Sequence, residues 1–388
     1  MKSCIEVYSA IGQQRLLARE QGFSLTELLI AMTLGLILTS GMFVVFSGNQ
    51  RSAALNTEMS NMQESMRFAL NAMSEDIRMA GYQGCADLNS GTVEIIANNP
   101  PSADLRSTVI SGAVIRDDQS WDPAPQLGTG SGAFQPPDDI TPRAGTHTIA
   151  MQYAKNPGSG LTGEQSSNGV PNSIGPLVLE NEIDVQEDGL ALVSTCESGE
   201  IFRVSQTSVQ NDGTMILSHE ASHNSRDRFQ QIYGMPANIA QTRVMPFTTN
   251  VYYIADTGDN RPDGTPLFAL YQQTMPFNQD DNPPVMLIEG VENMRVQFGI
   301  GAPNGQLRYV TADDNAYDSV QIRSVRIGLL MSSYKSILDA EDTSTYVLSG
   351  ETVSPSDTDT TAAAYPNDKR LRLAFNTTVS VRNRRAQN

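Results

Sequence analysis

The sequence predicts an α+β protein in which one long N-terminal helix precedes a β-rich head of antiparallel strands. Three observations predict it. An apolar run covers residues 23–46, its pattern continues at helical spacing towards Ala80, and strand-like runs alternate with turn residues over the rest of the chain. Hydrophobic residues make up 39% of the 388 residues, which is the composition of a folded protein long enough for a substantial core.

The apolar run is long enough to cross a bilayer. As a helix, residues 23–46 would extend about 36 Å at about 1.5 Å per residue, against a hydrocarbon core of about 30 Å. The one charged residue in the run is Glu27. Because Lys2, Arg15 and Arg19 precede the run, the positive-inside tendency predicts a cytoplasmic N-terminus and an outward-facing remainder.

A secretory signal peptide and a plain single-pass anchor are the two ordinary explanations of such a run. A signal peptide has an apolar core of about 7 to 15 residues before a small-residue cleavage site. This run is longer, although residues 38–41 imitate such a site. Glu27 argues against both explanations, because a carboxylate in an apolar helix costs about 2.5 to 3.5 kcal/mol on insertion scales and needs a partner or a function.

Residues 22–30, Gly-Phe-Ser-Leu-Thr-Glu-Leu-Leu-Ile, resemble the type III signal of type IV prepilins and pseudopilins. The resemblance implies cleavage between Gly22 and Phe23 by the prepilin peptidase and N-methylation of Phe23. It also implies that Glu27 acts in assembly. In a bundle of packed subunits, the α-amino group of a neighbour would neutralise this carboxylate.

The resemblance also divides the chain. We expect a prepilin leader over residues 1–22 and a pilin N-terminal helix over residues 23–80, with residues 23–46 in the membrane. Residues 81–388 would form a periplasmic head. The expected fold is therefore pilin-like, with a helix that is first transmembrane and then amphipathic, packed on the head.

Beyond the membrane, apolar residues at spacings of three and four define one face of the helix. They are Leu55, Met59, Met62, Met66, Ala69, Met73 and Ile77. We interpret this methionine-rich face as the contact with the head rather than as a metal or cofactor site. Gly81 is a suitable C-terminal cap.

The cysteines favour one disulfide. Cys4 lies in the expected leader, which leaves Cys85 and Cys196 in the outward-facing part. A single pair in an oxidising periplasm favours a bridge over a metal site, for which two distant cysteines are too few.

In the head, loop insertions are expected near residues 98–143 and 155–173, which are rich in Pro, Gly, Ser, Asn and Asp. Strand-like runs cover residues 148–153, 214–218, 251–254, 285–288 and 320–331. Residues 303–305, Pro-Asn-Gly, predict a hairpin turn between 294–300 and 307–310. Near the C-terminus, Leu371, Leu373, Phe375, Val379 and Val381 alternate with Arg370, Arg372, Asn376, Ser380 and Arg382, which predicts a half-buried strand with the second set exposed.

Several segments of the head resemble sequence blocks of the PilW minor pilin family. They are residues 81–85, 252–254, 288–294, 325–330 and 377–384. The resemblance implies a minor pilin that takes part in type IV pilus assembly and twitching motility, within a priming or tip complex. The implied partners are other minor pilins, the major pilin, the inner-membrane assembly platform and a tip adhesin. The implied location is the inner membrane and then the pilus fibre, at or near its tip.

One catalytic pattern is present, because His219-Glu220-Ala221-Ser222-His223 satisfies H-E-x-x-H, a zinc-binding pattern when it lies on a helix. The residues before it resemble a strand and those after it a turn, so we expect a loop and no catalytic role. Residues 256–264 are acidic, but Arg261 stands where an EF-hand needs an oxygen ligand, so we expect a turn. No cofactor is predicted. The formal net charge of −17 argues against nucleic acid as a partner.

Three alternatives to the pilus assignment remain at this stage. A minor pseudopilin of a type II secretion system shares the signal and the helix. An adhesin would use the long loops to hold a ligand. A membrane-tethered zinc peptidase would use the residues of the 219–223 pattern.

Overall fold

The computed structural model describes residues 23–86, 93–100, 108–123, 136, 140–275, 283–301, 306–356 and 364–383. Two compact units divide the chain, residues 1–56 and residues 57–388. The expected leader, residues 1–22, and the expected hairpin turn at residues 303–305 lie outside the described residues.

The elements follow one another in a simple order, with the helix first and the strands after it. The helix is α1 (Leu25–Met79), and a short 3-10 helix lies at Ser319–Gln321. The strands are β1 (Val93–Ile95), β2 (Ile110–Ile115), β3 (Trp121–Asp122), β4 (His147–Ala154), β5 (Ser166–Ser167), β6 (Val170–Pro171), β7 (Leu177–Leu179), β8 (Leu190–Ser194), β9 (Gly199–Arg203), β10 (Gln206–Val209), β11 (Met215–Ser218), β12 (Arg243–Asn260), β13 (Pro266–Thr274), β14 (Val285–Glu289), β15 (Val291–Gly301), β16 (Leu307–Val310), β17 (Ile322–Ser332), β18 (Tyr346–Leu348), β19 (Glu351–Pro355), β20 (Ala364–Tyr365) and β21 (Arg372–Ser380). The predicted fold class, one long helix followed by a β-rich head, is confirmed.

The largest sheet has nine strands and branches at β12. Its main path runs β1-β9-β8-β12-β4-β2-β3, while β13 pairs with β12 and carries β14 on its other side. The branch is possible because β12 is long: its first residues pair with β8, and the stretch from Asn250 to Asn260 pairs with β13. All pairs in this sheet are antiparallel except β1 with β9.

A second sheet has the order β16-β15-β17-β21 and is antiparallel throughout. The main hydrophobic core lies among this sheet, the larger sheet and the second half of α1, where Met62, Met66, Met73 and Ile77 are buried. From Met62 to Ile77, the apolar face expected on the helix is therefore the face that packs against the head. Met59 is at its exposed margin.

Two expectations about the head were wrong. The region near residues 98–143 is not one loop insertion, since β2 and β3 lie in it and extend the larger sheet. Three of the six residues of β2 are buried apolar ones, Ile110, Ala113 and Ile115, a short signal that the surrounding Pro and Gly residues obscured. Near the C-terminus, Arg370, just before β21, and Arg372, its first residue, are buried, although the alternation in the sequence predicted both as exposed.

Candidate assembly site

The N-terminal end of α1 forms a capping box. Ser24 is the N-cap, and its Oγ accepts a hydrogen bond from the backbone N–H of Glu27 at 3.2 Å. In return, Glu27 Oε2 accepts from the backbone N–H of Ser24 at 3.0 Å. This reciprocal arrangement satisfies two N–H groups that the first helical turn leaves without partners, and it places the carboxylate at the positive end of the helix dipole. Gly22, on the other side of the expected cleavage site, lies outside the described residues.

The first half of α1 is apolar and uncovered. One described helix is long and apolar enough to cross a membrane, with a mean hydropathy of 2.3 over its most apolar 18 residues, none of them buried. Leu36, Leu38 and Phe43 are among the exposed side chains. An apolar surface of this extent needs lipid or other helices to cover it, which is the requirement of a membrane anchor.

The second half of α1 is fixed to the head by a carboxylate that sequence reasoning missed. Asp76 is buried among the apolar residues of the helix face. It accepts hydrogen bonds from the hydroxyls of Tyr153 and Tyr252, both at 2.6 Å, and from Asn250 Nδ2 at 2.8 Å. Burial, followed by the charge of Asp76, raises the pKa of both tyrosines, so their hydroxyls remain protonated donors. In the sequence, the one sign that Asp76 could be buried is its position directly before Ile77 of the apolar face.

The end of α1 is closed by residues from both ends of the head. Gly81 has a φ of 76°, the left-handed conformation that stops a helix, and it donates its N–H to the carbonyl of Gln152. Asn383 Nδ2 lies 3.1 to 3.3 Å from the carbonyl oxygens of Arg78, Met79 and Ala80. These are carbonyls that a helix end leaves without intrahelical partners. A residue near the C-terminus therefore caps the N-terminal helix.

A disulfide joins Cys85, which follows the helix end, to Cys196 in the turn between β8 and β9. This is the pair expected from the sequence. The bridge connects residues 111 apart, so it ties the segment just after α1 directly to the larger sheet.

The buried arginines belong to a charged cluster around Glu292 on β15. Arg372 Nε lies 2.8 Å from Glu292 Oε2, and Arg261 Nη1 lies 3.3 Å from Oε1. Burial by itself would raise the pKa of Glu292, but Arg372 and Arg261 outweigh it and hold that pKa at about 2. Three aspartates complete the cluster. Arg370 pairs with Asp263 and Asp368, and Arg372 pairs with Asp342 and Asp368. The cluster joins the turn after β12 to the start of β21.

The H-E-x-x-H segment does not form a zinc site. It follows β11 as two residues without regular secondary structure and a turn, not as a helix. His219 is buried, with Nε2 at 3.0 Å from both Gln165 Nε2 and the carbonyl of Gly175, whereas His223 pairs with Asp188 at 3.3 Å. Among the residues that the structure describes, no group of three or more His, Cys, Asp or Glu side chains could hold a metal ion.

Two family models match the sequence. One describes the prokaryotic N-terminal methylation motif and matches residues 17–43, and the other describes type IV pilus-assembly protein W and matches residues 251–383. The two matches support a PilW-type minor pilin. They indicate a role in type IV pili, with membrane anchoring and association with the pilus. Pilins are structural subunits, and the PilW match thus favours a structural role.

The PilW-type region has a definite place in the fold. Residues 251–383 include most of β12, the β13–β14 branch, the whole four-stranded sheet and Asn383 at the helix cap. The charged cluster around Glu292 also lies within it. The region therefore supplies part of the core on which the second half of α1 packs, and strands β2, β4, β8 and β9 supply another part.

A solved type IV-like pilin from Thermus thermophilus is similar at 19% identity over 36% of this chain and 78% of that chain, with a TM-score of 0.19. Among curated proteins, none matches the sequence.

Proposed function

We propose that the chain is a prepilin that is cut between Gly22 and Phe23, is N-methylated at Phe23 and enters a type IV pilus within a priming complex of minor pilins. The observation that carries the proposal is the capping box of Ser24 and Glu27 at the start of an uncovered apolar helix, inside the matched methylation motif. Cleavage at the proposed position leaves one residue before the N-cap, so the new amino terminus lies beside the first turn.

In this proposal Glu27 has two successive partners. In the isolated subunit it bonds the backbone of Ser24. In the fibre it pairs with the amino group of a neighbouring subunit, which is a stronger, charge-assisted partner in an apolar surrounding. The exposed apolar half of α1 then packs against the corresponding helices of other subunits.

The proposed topology is a cytoplasmic N-terminus, a single crossing of the inner membrane over residues 23–46 and a periplasmic head over residues 81–388. The disulfide of Cys85 and Cys196 supports this placement, because such bridges persist in the oxidising periplasm. The mature subunit joins other minor pilins near the fibre tip, beneath a tip adhesin and above the major pilin. It is structural and has no catalytic role.

Mass spectrometry of the N-terminus, in cells with and without the prepilin peptidase, tests the cleavage. A mature start at N-methylated Phe23, lost without the peptidase, is the expected result. A start near Gly41 or an intact Met1 would contradict the proposal.

Two matched substitutions test the role of Glu27. Glu27→Leu should be cleaved and inserted in the membrane but absent from sheared pili, because the carboxylate that assembly needs is gone. Ser24→Ala removes the other half of the capping box and retains the carboxylate, so it should still enter the fibre. Equal loss from pili in both variants would show that Glu27 serves as a helix cap alone.

A further inference from the structure

Strand β14 lies at an open edge of the larger sheet. It pairs with β13 through four residues, from Glu289 opposite Ala269 to Val285 opposite Gln272. Among the described residues, no strand pairs with its other side. The edge is also apolar, with the side chains of Val285 and Met286 56% and 43% exposed.

Sheet edges are normally protected against pairing with other chains by lysines, by prolines within the strand or by bulges. The sequence of β14, Val-Met-Leu-Ile-Glu, has no lysine and no proline. A register shift between Leu270 and Tyr271 bends the pairing with β13, but Val285 and Met286 remain exposed beyond it. An exposed apolar edge of this kind in a folded protein indicates a site for another strand.

The backbone of β14 has groups available for such a strand. The N–H of Gly290, directly after β14, donates to the carbonyl of Phe268 at 2.8 Å. In an antiparallel ladder, successive residues point their N–H groups alternately towards and away from the partner strand. Glu289 therefore directs its N–H and its carbonyl away from β13, where an added strand would meet them.

An open groove of about 360 Å³ lies against this strand. Its apolar lining comes from β14, β13 and β17 through Leu267, Leu287, Ile288 and Met331. Its charged lining residues are two carboxylates, Glu58 on α1 and Glu289, and no basic side chain lines it. No described residue forms an ion pair with either carboxylate. The groove therefore suits an apolar side chain with a positive charge beside it.

We propose that β14 binds an extended apolar segment bearing a lysine or arginine, supplied by a neighbouring subunit of the pilus. The segment adds one strand to the larger sheet through backbone hydrogen bonds, places an apolar side chain in the groove and pairs its basic residue with Glu58 and Glu289. The identity of the donor as a pilus subunit rests on the proposed function.

A second copy of this chain, paired β14 to β14, is disfavoured by charge. Each copy would bring Glu289 and no basic residue to the shared edge, so the groove carboxylates would gain a like charge instead of a partner. A donor of different sequence is therefore the occupant that the chemistry selects.

The test uses the full-length chain in piliated cells. A photo-crosslinking amino acid replaces Val285 or Met286 in turn, and Val209, an equally exposed residue of β10, is the control position. Side chains of adjacent strand residues point to opposite faces of a sheet. A strand added at the edge should thus be reached from both Val285 and Met286, and mass spectrometry should map both crosslinks to one segment of one pilus subunit.

A charge reversal tests the basic residue of the donor. With the crosslinker at Val285, Glu289→Lys should lower the crosslink yield several-fold, whereas Glu182→Lys, a reversal at an exposed carboxylate elsewhere in the head, should leave it unchanged. If the chain enters the fibre but Val285 and Met286 crosslink no better than Val209, the inference fails while the proposed function stands. Crosslinks from one of the two positions alone, or to a second copy, also overturn it. If the chain never enters a fibre, both fail.

Discussion

Asp76 on α1 and Tyr252 on β12 are joined by a buried hydrogen bond of 2.6 Å, and Tyr153 on β4 donates to the same carboxylate. Asp76→Ala should therefore lower the free energy of unfolding by about 2 kcal/mol or more, because two buried hydroxyls lose their acceptor. Glu75→Ala, at the exposed neighbouring position, should change it by about 0.5 kcal/mol or less. Denaturant unfolding of the detergent-solubilised chain, followed by the fluorescence of Trp121, measures both, and equal effects would contradict the assignment.

Glu292 is the common partner of two buried arginines, Arg261 and Arg372. Glu292→Gln should destabilise the head by about 3 to 5 kcal/mol, because it removes the carboxylate that pairs with buried Arg261 and leaves Arg372 with Asp342 and Asp368 alone. Glu341→Gln removes an exposed carboxylate and is the matched control. Thermal unfolding of the two variants should separate them clearly. A Glu292→Gln protein as stable as the control would show that the cluster is solvated.

His147 should make the stability of the head depend on pH. Its burial, and then the nearby Arg295, lower its pKa from 6.5 to about 4. The unfolded chain thus binds a proton at a higher pH than the folded one, so this contribution is fully present above pH 6.5 and is lost as the pH falls towards 4. The loss should reach up to about 3 kcal/mol.

The measurement is denaturant unfolding at several values between pH 7 and pH 4. His147→Asn should be less stable at pH 7 but should show a flatter pH dependence in this interval. If the slope of the free energy of unfolding against pH is the same in His147→Asn and the wild type, groups other than His147 cause the pH dependence.

The bridge between Cys85 and Cys196 closes a long loop, with a sequence separation of 111. In the chain-entropy model, replacing both cysteines by alanine should lower the stability of the head by up to about 4 to 5 kcal/mol. Cys4→Ala is the control, since Cys4 lies in the leader that is expected to be removed. Melting temperatures of the purified mature proteins would test this. A double variant with the same melting temperature as the wild type would count against a structural role of the bridge.

Asn383 donates to the carbonyls at the end of α1. Asn383→Asp keeps the size of the side chain but replaces the donor with a negative charge at the negative end of the helix dipole, so it should cost about 1 to 2 kcal/mol. Asn383→Gln retains the amide and should cost less. Hydrogen exchange of the last turn of α1 reports the difference, and equal protection in both variants would exclude a capping role.

The parts of the fold that the sequence predicted have a local signal. The helix could be predicted from an apolar run and a three-four spacing, and Gly81 as its end from the conformational freedom of glycine. The strands near residues 148–153 and 320–331 were predicted because apolar residues are dense there. These signals come from residues that are close together in the sequence, so a single sequence is enough to detect them.

The missed features depend on residues far apart in the chain. The sequence placed Arg372 on an exposed face and indicated no role for Asp76, because polarity alone predicts exposure. Their partners lie on other strands, Tyr153 and Tyr252 for Asp76 and Glu292 for Arg372. Burial of such groups is favourable only once the topology supplies those partners, and a single sequence does not show the topology.

The cap on α1 also sets an order of events in the biogenesis of the protein. The ribosome completes residues 78–80 long before Asn383, and β21, the last strand beside β17, is made just before it. The end of the helix and one side of the smaller sheet must therefore wait, hydrated or held by another protein, until β21 and Asn383 emerge. A chain truncated before β21 would keep its membrane segment and most of its strands, yet it would reach the assembly machinery with an unfinished head.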